Sequence, residues 1–145
     1  MYDDNNIFAK ILRGEVPCKK IYEDNYVLSF EDVNPQKKIH VLVIPKGKYI
    51  DLDDFNEKAS DEEIIGLFKA FSSVAKKLKI SSKNGKGYWA IANTSENGGQ
   101  EVPHLHFHLI GGENVGKMLQ NDWNIKILFR NKEARRSKTS RNSWK

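Results

Sequence analysis

The chain is poor in cysteine, methionine, proline and histidine, with one, two, four and four of them among 145 residues. A single cysteine, Cys18, excludes an internal disulfide and any Cys-x-x-Cys zinc site. That usage fits a reducing compartment. The start, Met1-Tyr2-Asp3-Asp4-Asn5-Asn6, is acidic and polar rather than the basic-then-apolar pattern of a secretory signal. No apolar run approaches the length that spans a bilayer. A cytoplasmic protein that touches no membrane is expected. Hydrophobic residues at 39% and charged residues at 30% place the chain among globular proteins. Its length is that of one domain able to bury a core. The net charge of +5 belongs to one end. From Arg130 to Lys145 there are seven basic residues and one acid, so residues 1 to 129 are close to neutral. A near-neutral body gives no electrostatic case for a nucleic-acid surface, and nucleic acid is not expected as a partner.

Three of the four scarce histidines stand together, in Pro103-His104-Leu105-His106-Phe107-His108-Leu109-Ile110-Gly111-Gly112. Alternation of polar and apolar residues is the period of a half-buried strand. A strand over His104 to Leu109 would place the three imidazoles on one face and Leu105, Phe107 and Leu109 on the other. Three chemical readings follow. The histidines can be solvated surface residues, although histidine is no common choice there. A neighbouring pair, completed from elsewhere, can bind a metal. One can be a nucleophile whose neighbours hold a phosphate. The spread of the outer two, about 13 Å along a strand, suits the last better than a single ion.

The remaining chain reads as follows. Asn5 or Asn6 can cap a short helix over Ile7 to Arg13, which Gly14 ends. Lys20 to Glu23 and Tyr26 to Phe30 read as strands around a Glu23-Asp24-Asn25 turn. Asp32 to Pro35 is a loop, and His40 to Ile44 is apolar enough for a central strand. Ser60-Asp61-Glu62-Glu63 is a capping box. It opens the strongest helix, with Ile64, Leu67, Phe68, Phe71, Val74, Ala75 and Leu78 as its core stripe. Tyr88 to Asn93 is the next strand. The class is α+β: an antiparallel sheet of about five strands with one main helix on a face and a short N-terminal helix.

The run from His104 to Ile110 matches, at all seven positions, the His-φ-His-φ-His-φ-φ signature of the histidine triad (HIT) superfamily, φ being apolar. Asn93 to Gln100 and the Gly111-Gly112 pair resemble its Hint branch. Ile7 to Ile11, Gly14 to Pro17, Phe30 to Gln36 and His40 to Lys46 extend the similarity over about residues 5 to 120. The resemblance implies a HIT-like fold over residues 1–121, a basic extension over 122–145, and a homodimer whose sheet continues across a two-fold axis. It also implies chemistry at the α-phosphorus of a purine nucleotide of the AMP or GMP type. Purine nucleoside 5′-phosphoramidates or related nucleotidyl compounds would be hydrolysed through a nucleotidyl-histidine.

His106 would be the nucleophile, its tautomer fixed by a main-chain carbonyl. His108 would contact phosphate and leaving group. His104 would orient, paired with His40 from the adjacent strand. Asp32 would accept from the ribose hydroxyls. Asn93 and the amides of Gly99 and Gln100 would donate to phosphate. Ile7, Phe8, Ile11, Val16, Phe30 and Val33 would form an apolar purine slot. No metal and no cofactor are expected. The chain departs from the Hint pattern at Glu101, where Ser or Thr is usual. The alternatives to this enzyme are a non-catalytic nucleotide-binding or scaffolding protein and a metal-dependent hydrolase.

Overall fold

A computed structural model of the chain describes residues 1–119. Its helices and strands lie in one compact unit, Met1–Val115. The expected basic extension, 122–145, lies outside the described residues. The elements are α1 (Ile7–Leu12), β1 (Lys20–Glu23), β2 (Val27–Glu31), β3 (Ile39–Pro45), α2 (Leu52–Lys58), α3 (Asp61–Lys77), β4 (Tyr88–Ala92) and β5 (Phe107–Gly111). The strands form one antiparallel sheet in the order β1-β2-β3-β5-β4. The α+β class and the strand count are as expected.

Two elements differ from the expectation. α2 is a third helix whose weak periodicity gave no signal. Asp51 caps it, accepting from the Asp54 amide at 2.8 Å, and only Phe55 on it is buried. The last strand begins at Phe107, not His104. Pro103 has no amide to give to a ladder. The Leu105 amide donates to the Tyr49 carbonyl, 2.8 Å away, instead of to a neighbouring strand. His104, Leu105 and His106 therefore form an irregular lead-in to β5, yet keep the alternation of side chains.

That alternation sorts the protein into two faces. Val27, Val41, Val43, Leu105 and Leu109 point to one side, where Phe55 of α2 and Leu67, Ala70 and Val74 of α3 cover them. Leu28, Phe30, Leu42 and Ile44 point to the other, under Phe8 of α1. Here too lie the histidines. The capping box of α3 forms as read: Ser60 Oγ accepts from the Glu63 amide at 3.1 Å, and the Ser60 amide donates to the Glu63 carboxylate at 3.0 Å. Phe68 departs from its expected place in the core stripe and is 59% exposed. The buried positions Leu67, Ala70, Val74 and Ala75 centre the stripe one residue away from it.

Candidate active site

The site is built where β3 and β5 lie side by side, closed by α1. His104 is fully buried and both its ring nitrogens are engaged. Nε2 donates to the Pro45 carbonyl at 2.9 Å. Nδ1 then carries a lone pair, which accepts from the Tyr2 hydroxyl at 2.6 Å. The carbonyl of His104 in turn accepts from Nδ1 of His106 at 2.8 Å. This is the main-chain acceptor expected for the middle histidine. With its hydrogen on Nδ1, neutral His106 presents an unprotonated Nε2, the nitrogen that can attack an electrophile. Phe8 packs edge-on against the His106 ring at 4.9 Å between centroids.

His40 does not pair with His104. The antiparallel register sets His40 opposite Ile110 and Leu42 opposite His108, so the diagonal neighbour of His40 on the same face is His108. Their Nε2 and Nδ1 atoms are 2.9 Å apart. Nδ1 of His40 accepts from the Gln36 amide at 3.0 Å, which leaves the ring hydrogen on Nε2. That hydrogen lies toward His108 Nδ1 and Asp32 Oδ2, the latter 3.3 Å from Nε2. His108 therefore accepts at Nδ1 and carries its own hydrogen on Nε2. The Gln36 amide, a backbone group, thus propagates one tautomer through two rings.

Burial favours the neutral form of the imidazoles. It pushes His104 down to about 4 and lowers His106 and His40 below the ordinary imidazole value. His108 is also brought down to about 4, by burial and then by the neighbouring His106 and His40. Asp32 opposes burial at His40, His106 and His108. Glu101 is exposed, and its charge acts on His106 in the same upward sense.

Donor atoms of Asp32, His40 and His108 lie within 4.8 Å of one another, close enough in distance for a metal ion. Their hydrogen bonding does not fit one. To ligate through Nε2, His40 would have to move its hydrogen to Nδ1, directly against the Gln36 N–H. The Nε2 hydrogen of His40 is spent between His108 and Asp32 instead.

The other expected site residues fall into place unevenly. Asp32 Oδ1 accepts from the Asn34 amide at 2.8 Å, a turn bond, while Oδ2 faces the histidines. Phe8 and Phe30 are buried and touch edge to face at 5.6 Å, as the floor of the histidine face. Ile7 is 42% exposed beside them. Val16 is half-buried. Val33 is fully exposed, on the loop between β2 and β3, and closes no slot in the single chain. Ile11 lines a different recess, of about 370 Å³, with Leu12, Cys18 and Leu28 and no histidine. The Gly99 and Gln100 amides are not free donors. They bond to the Glu96 and Ser95 carbonyls, each at 3.0 Å. Asn93 Nδ2 donates to the Gly98 carbonyl at 2.6 Å, and Gln100 Nε2 to Ile50 and Val102. These residues hold the loop that leads to His104.

Residues 13–115 match the HIT domain model, well over half of the chain. The protein belongs to the HIT family. An uncharacterized HIT-like protein of Azospirillum brasilense is 49% identical over 118 residues, which span 81% of this chain and 94% of that one. The purine nucleoside phosphoramidase of Escherichia coli K12 is 37% identical over 117 residues, 80% of this chain and 94% of that one. Among solved structures, a HIT family hydrolase from Clostridium thermocellum superposes with a TM-score of 0.72 at 39% identity, covering 81% of this chain and 99% of the other. The five-stranded sheet with its helices is thus the HIT fold. Sequence reasoning missed three contributors to this HIT site: Tyr2, the Pro45 carbonyl and the Gln36 amide. Two are backbone groups with no side-chain signature, and Tyr2 lies 102 positions from its partner.

Proposed function

We propose that this HIT protein hydrolyses purine nucleoside 5′-phosphoramidates, or related nucleotidyl compounds, at the α-phosphorus through a nucleotidyl-histidine on His106. The observation that carries the reading is the bond from His106 Nδ1 to the His104 carbonyl, which leaves Nε2 as a neutral, directed nucleophile. The relation to the E. coli phosphoramidase supports the substrate class. In the first step Nε2 bonds to phosphorus, and the phosphorus–nitrogen bond breaks as the amine leaves with a proton that its nitrogen takes from solvent. In the second step water cleaves the phosphorus–His106 bond and releases the nucleoside monophosphate. His108, with hydrogen on Nε2, donates to a phosphate oxygen or the leaving group. Asp32 retains lone pairs for the ribose hydroxyls besides the one spent on Asn34. Phe8 and Phe30 floor the purine site, with Ile7 at its rim.

The route uses no metal and no cofactor. A homodimer belongs to the same reading. Among the described residues β4 is an edge strand, which a second copy can extend, and exposed Ile65 and Phe68 on α3 offer apolar surface. No helix among the described residues is long and apolar enough to cross a membrane.

The deciding experiment is turnover of an adenosine phosphoramidate with labelled phosphorus, quenched without acid. A phosphorus–nitrogen adduct on His106, and activity that survives exhaustive chelation, are expected. No turnover and no adduct would hand the protein to nucleotide binding alone. Turnover lost on chelation and restored by zinc would hand it to metal chemistry.

A further inference from the structure

We infer that Tyr2 is a positioning residue of the triad, whose hydroxyl fixes the first histidine and through it the tautomer of the second. The inference rests on the assignment of His106 as nucleophile. His104 is completely buried, so each of its ring nitrogens needs a partner. Pro45 supplies an acceptor to one side, and the Tyr2 hydroxyl supplies the donor on the other. The two bonds admit one tautomer and one orientation of the ring. With the Leu105 amide bonded to the Tyr49 carbonyl, they hold in place the residue whose carbonyl the His106 hydrogen depends on. Without the hydroxyl, the Nδ1 lone pair is stranded in a buried site. Only the Pro45 bond then holds the ring, which tilts to let Nδ1 reach another donor, and the tilt loosens its hold on the carbonyl.

The N-terminal segment is built to deliver this group. Asp3 Oδ1 accepts from the Asn5 amide at 2.9 Å, and its carbonyl accepts from Asn6 Nδ2 at 2.7 Å. Asn6 itself caps α1, accepting from the Ala9 amide at 2.9 Å. The Asp4 carbonyl accepts from Arg13 at 2.8 Å, and its carboxylate meets Lys48 at 2.9 Å. Tyr2 is thus tied on one side to the helix carrying Phe8 and on the other to the chain just beyond β3. Its ring meets His104 edge-on at 5.6 Å.

The test is Tyr2→Phe in the full chain, which removes one oxygen and keeps the ring. Expected are a fall of about tenfold or more in kcat and a change in KM within about threefold. Nitrogen-15 spectra of the substrate-free protein should show His104 Nδ1 moving to the shift of an unbonded ring nitrogen and His106 no longer held with its hydrogen on Nδ1. In Tyr2→Ala, added phenol should restore turnover and added toluene should not. Independently of any variant, the wild-type Tyr2 hydroxyl proton should appear downfield, slowly exchanging, with an Overhauser effect to the His104 ring. Absence of that signal, an unchanged His106 tautomer in Tyr2→Phe, or equal rescue by toluene would overturn the inference. The spectra need no substrate. A wild-type chain inactive on phosphoramidates would count against the proposed function and leave the Tyr2 question answerable.

Discussion

The two faces of the central sheet are made by alternate residues of the same strands, and they are built to different ends. Toward α3 the side chains are apolar, and the one buried polar atom without a hydrogen-bond partner among the described residues, Ser29 Oγ, lies on this side. Toward α1 the sheet carries four histidines, three of them nearly or fully buried, and their bonds form a closed set with Tyr2, Gln36, Asp32 and two carbonyls. One face tolerates an orphan because packing dominates it. The other pairs its buried polar groups with one another and, among the described residues, leaves Nε2 of His106 and of His108 unbonded. Stability and reactivity are thereby assigned to opposite sides of one layer, and the two assignments can be separated by experiment.

The largest separation is expected at His106. His106→Ala should lower turnover of an adenosine phosphoramidate by several orders of magnitude, since the covalent route is gone. Its urea midpoint should move far less than its rate. A variant that retained a tenth of the activity would show that the face is not organised around this nitrogen. The mirror experiment is Leu67→Ala on α3, a fully buried position of the opposite face. It should cost about 2–5 kcal/mol of stability, the usual range for a leucine cavity. kcat of the folded fraction should stay close to that of the parent, as read by denaturant titration beside initial rates.

Asp32→Ala comes next. It should weaken a ribonucleotide by roughly 1.5–3 kcal/mol, as for a charge-assisted hydrogen bond. A 2′,3′-dideoxy analogue should be affected much less. Equal losses in calorimetry would make Asp32 the turn residue and histidine counter-charge that its bonds to Asn34 and His40 describe, with no part in ribose binding.

A pH scan sharpens the comparison further. Native His104 and His108 resist protonation until about pH 4, whereas in the unfolded chain imidazoles take up protons near pH 6.5. Between those values the unfolded state binds more protons, so stability should fall as pH drops from 6.5 toward 4 and be level above 6.5. Leu67→Ala should shift the whole curve without changing its shape. The acid limb of kcat/KM should lie below pH 6.5, because burial lowers His106 too. The smallest effect is expected at Ser29. Ser29→Ala removes an unbonded hydroxyl and should change stability by less than about 1 kcal/mol, in either direction. A loss of several kcal/mol in thermal unfolding would reveal a partner for that oxygen.

Much of this arrangement is legible in the sequence. The alternation at 104–109 names both faces, the capping box names α3, and the strand over 39–45 is readable from its apolar run. Which histidines meet is not legible, because register decides it: His40 lies diagonal to His108 only once Leu42 stands opposite His108. The i and i+4 spacing of Phe68 from Ile64 fits two overlapping faces, and only the sheet selects between them. The sequence offers the amides of Gly99 and Gln100 to a ligand because glycine permits close approach. The loop uses both for its own turns. Tyr2 and the Pro45 carbonyl act across long separations and leave no local pattern.

The segment from His104 to Leu109 has one further consequence, for how this chain can change over generations. Each residue there belongs to a face by its parity alone. Substitutions alter one face at a time and can be selected separately. A deletion or insertion of a single codon would exchange the two faces from that point on, sending leucines to the imidazole side and imidazoles under α3. The segment can drift in composition but is locked in length, and the tolerated gaps should gather in the loops before Tyr88 and after Gly112.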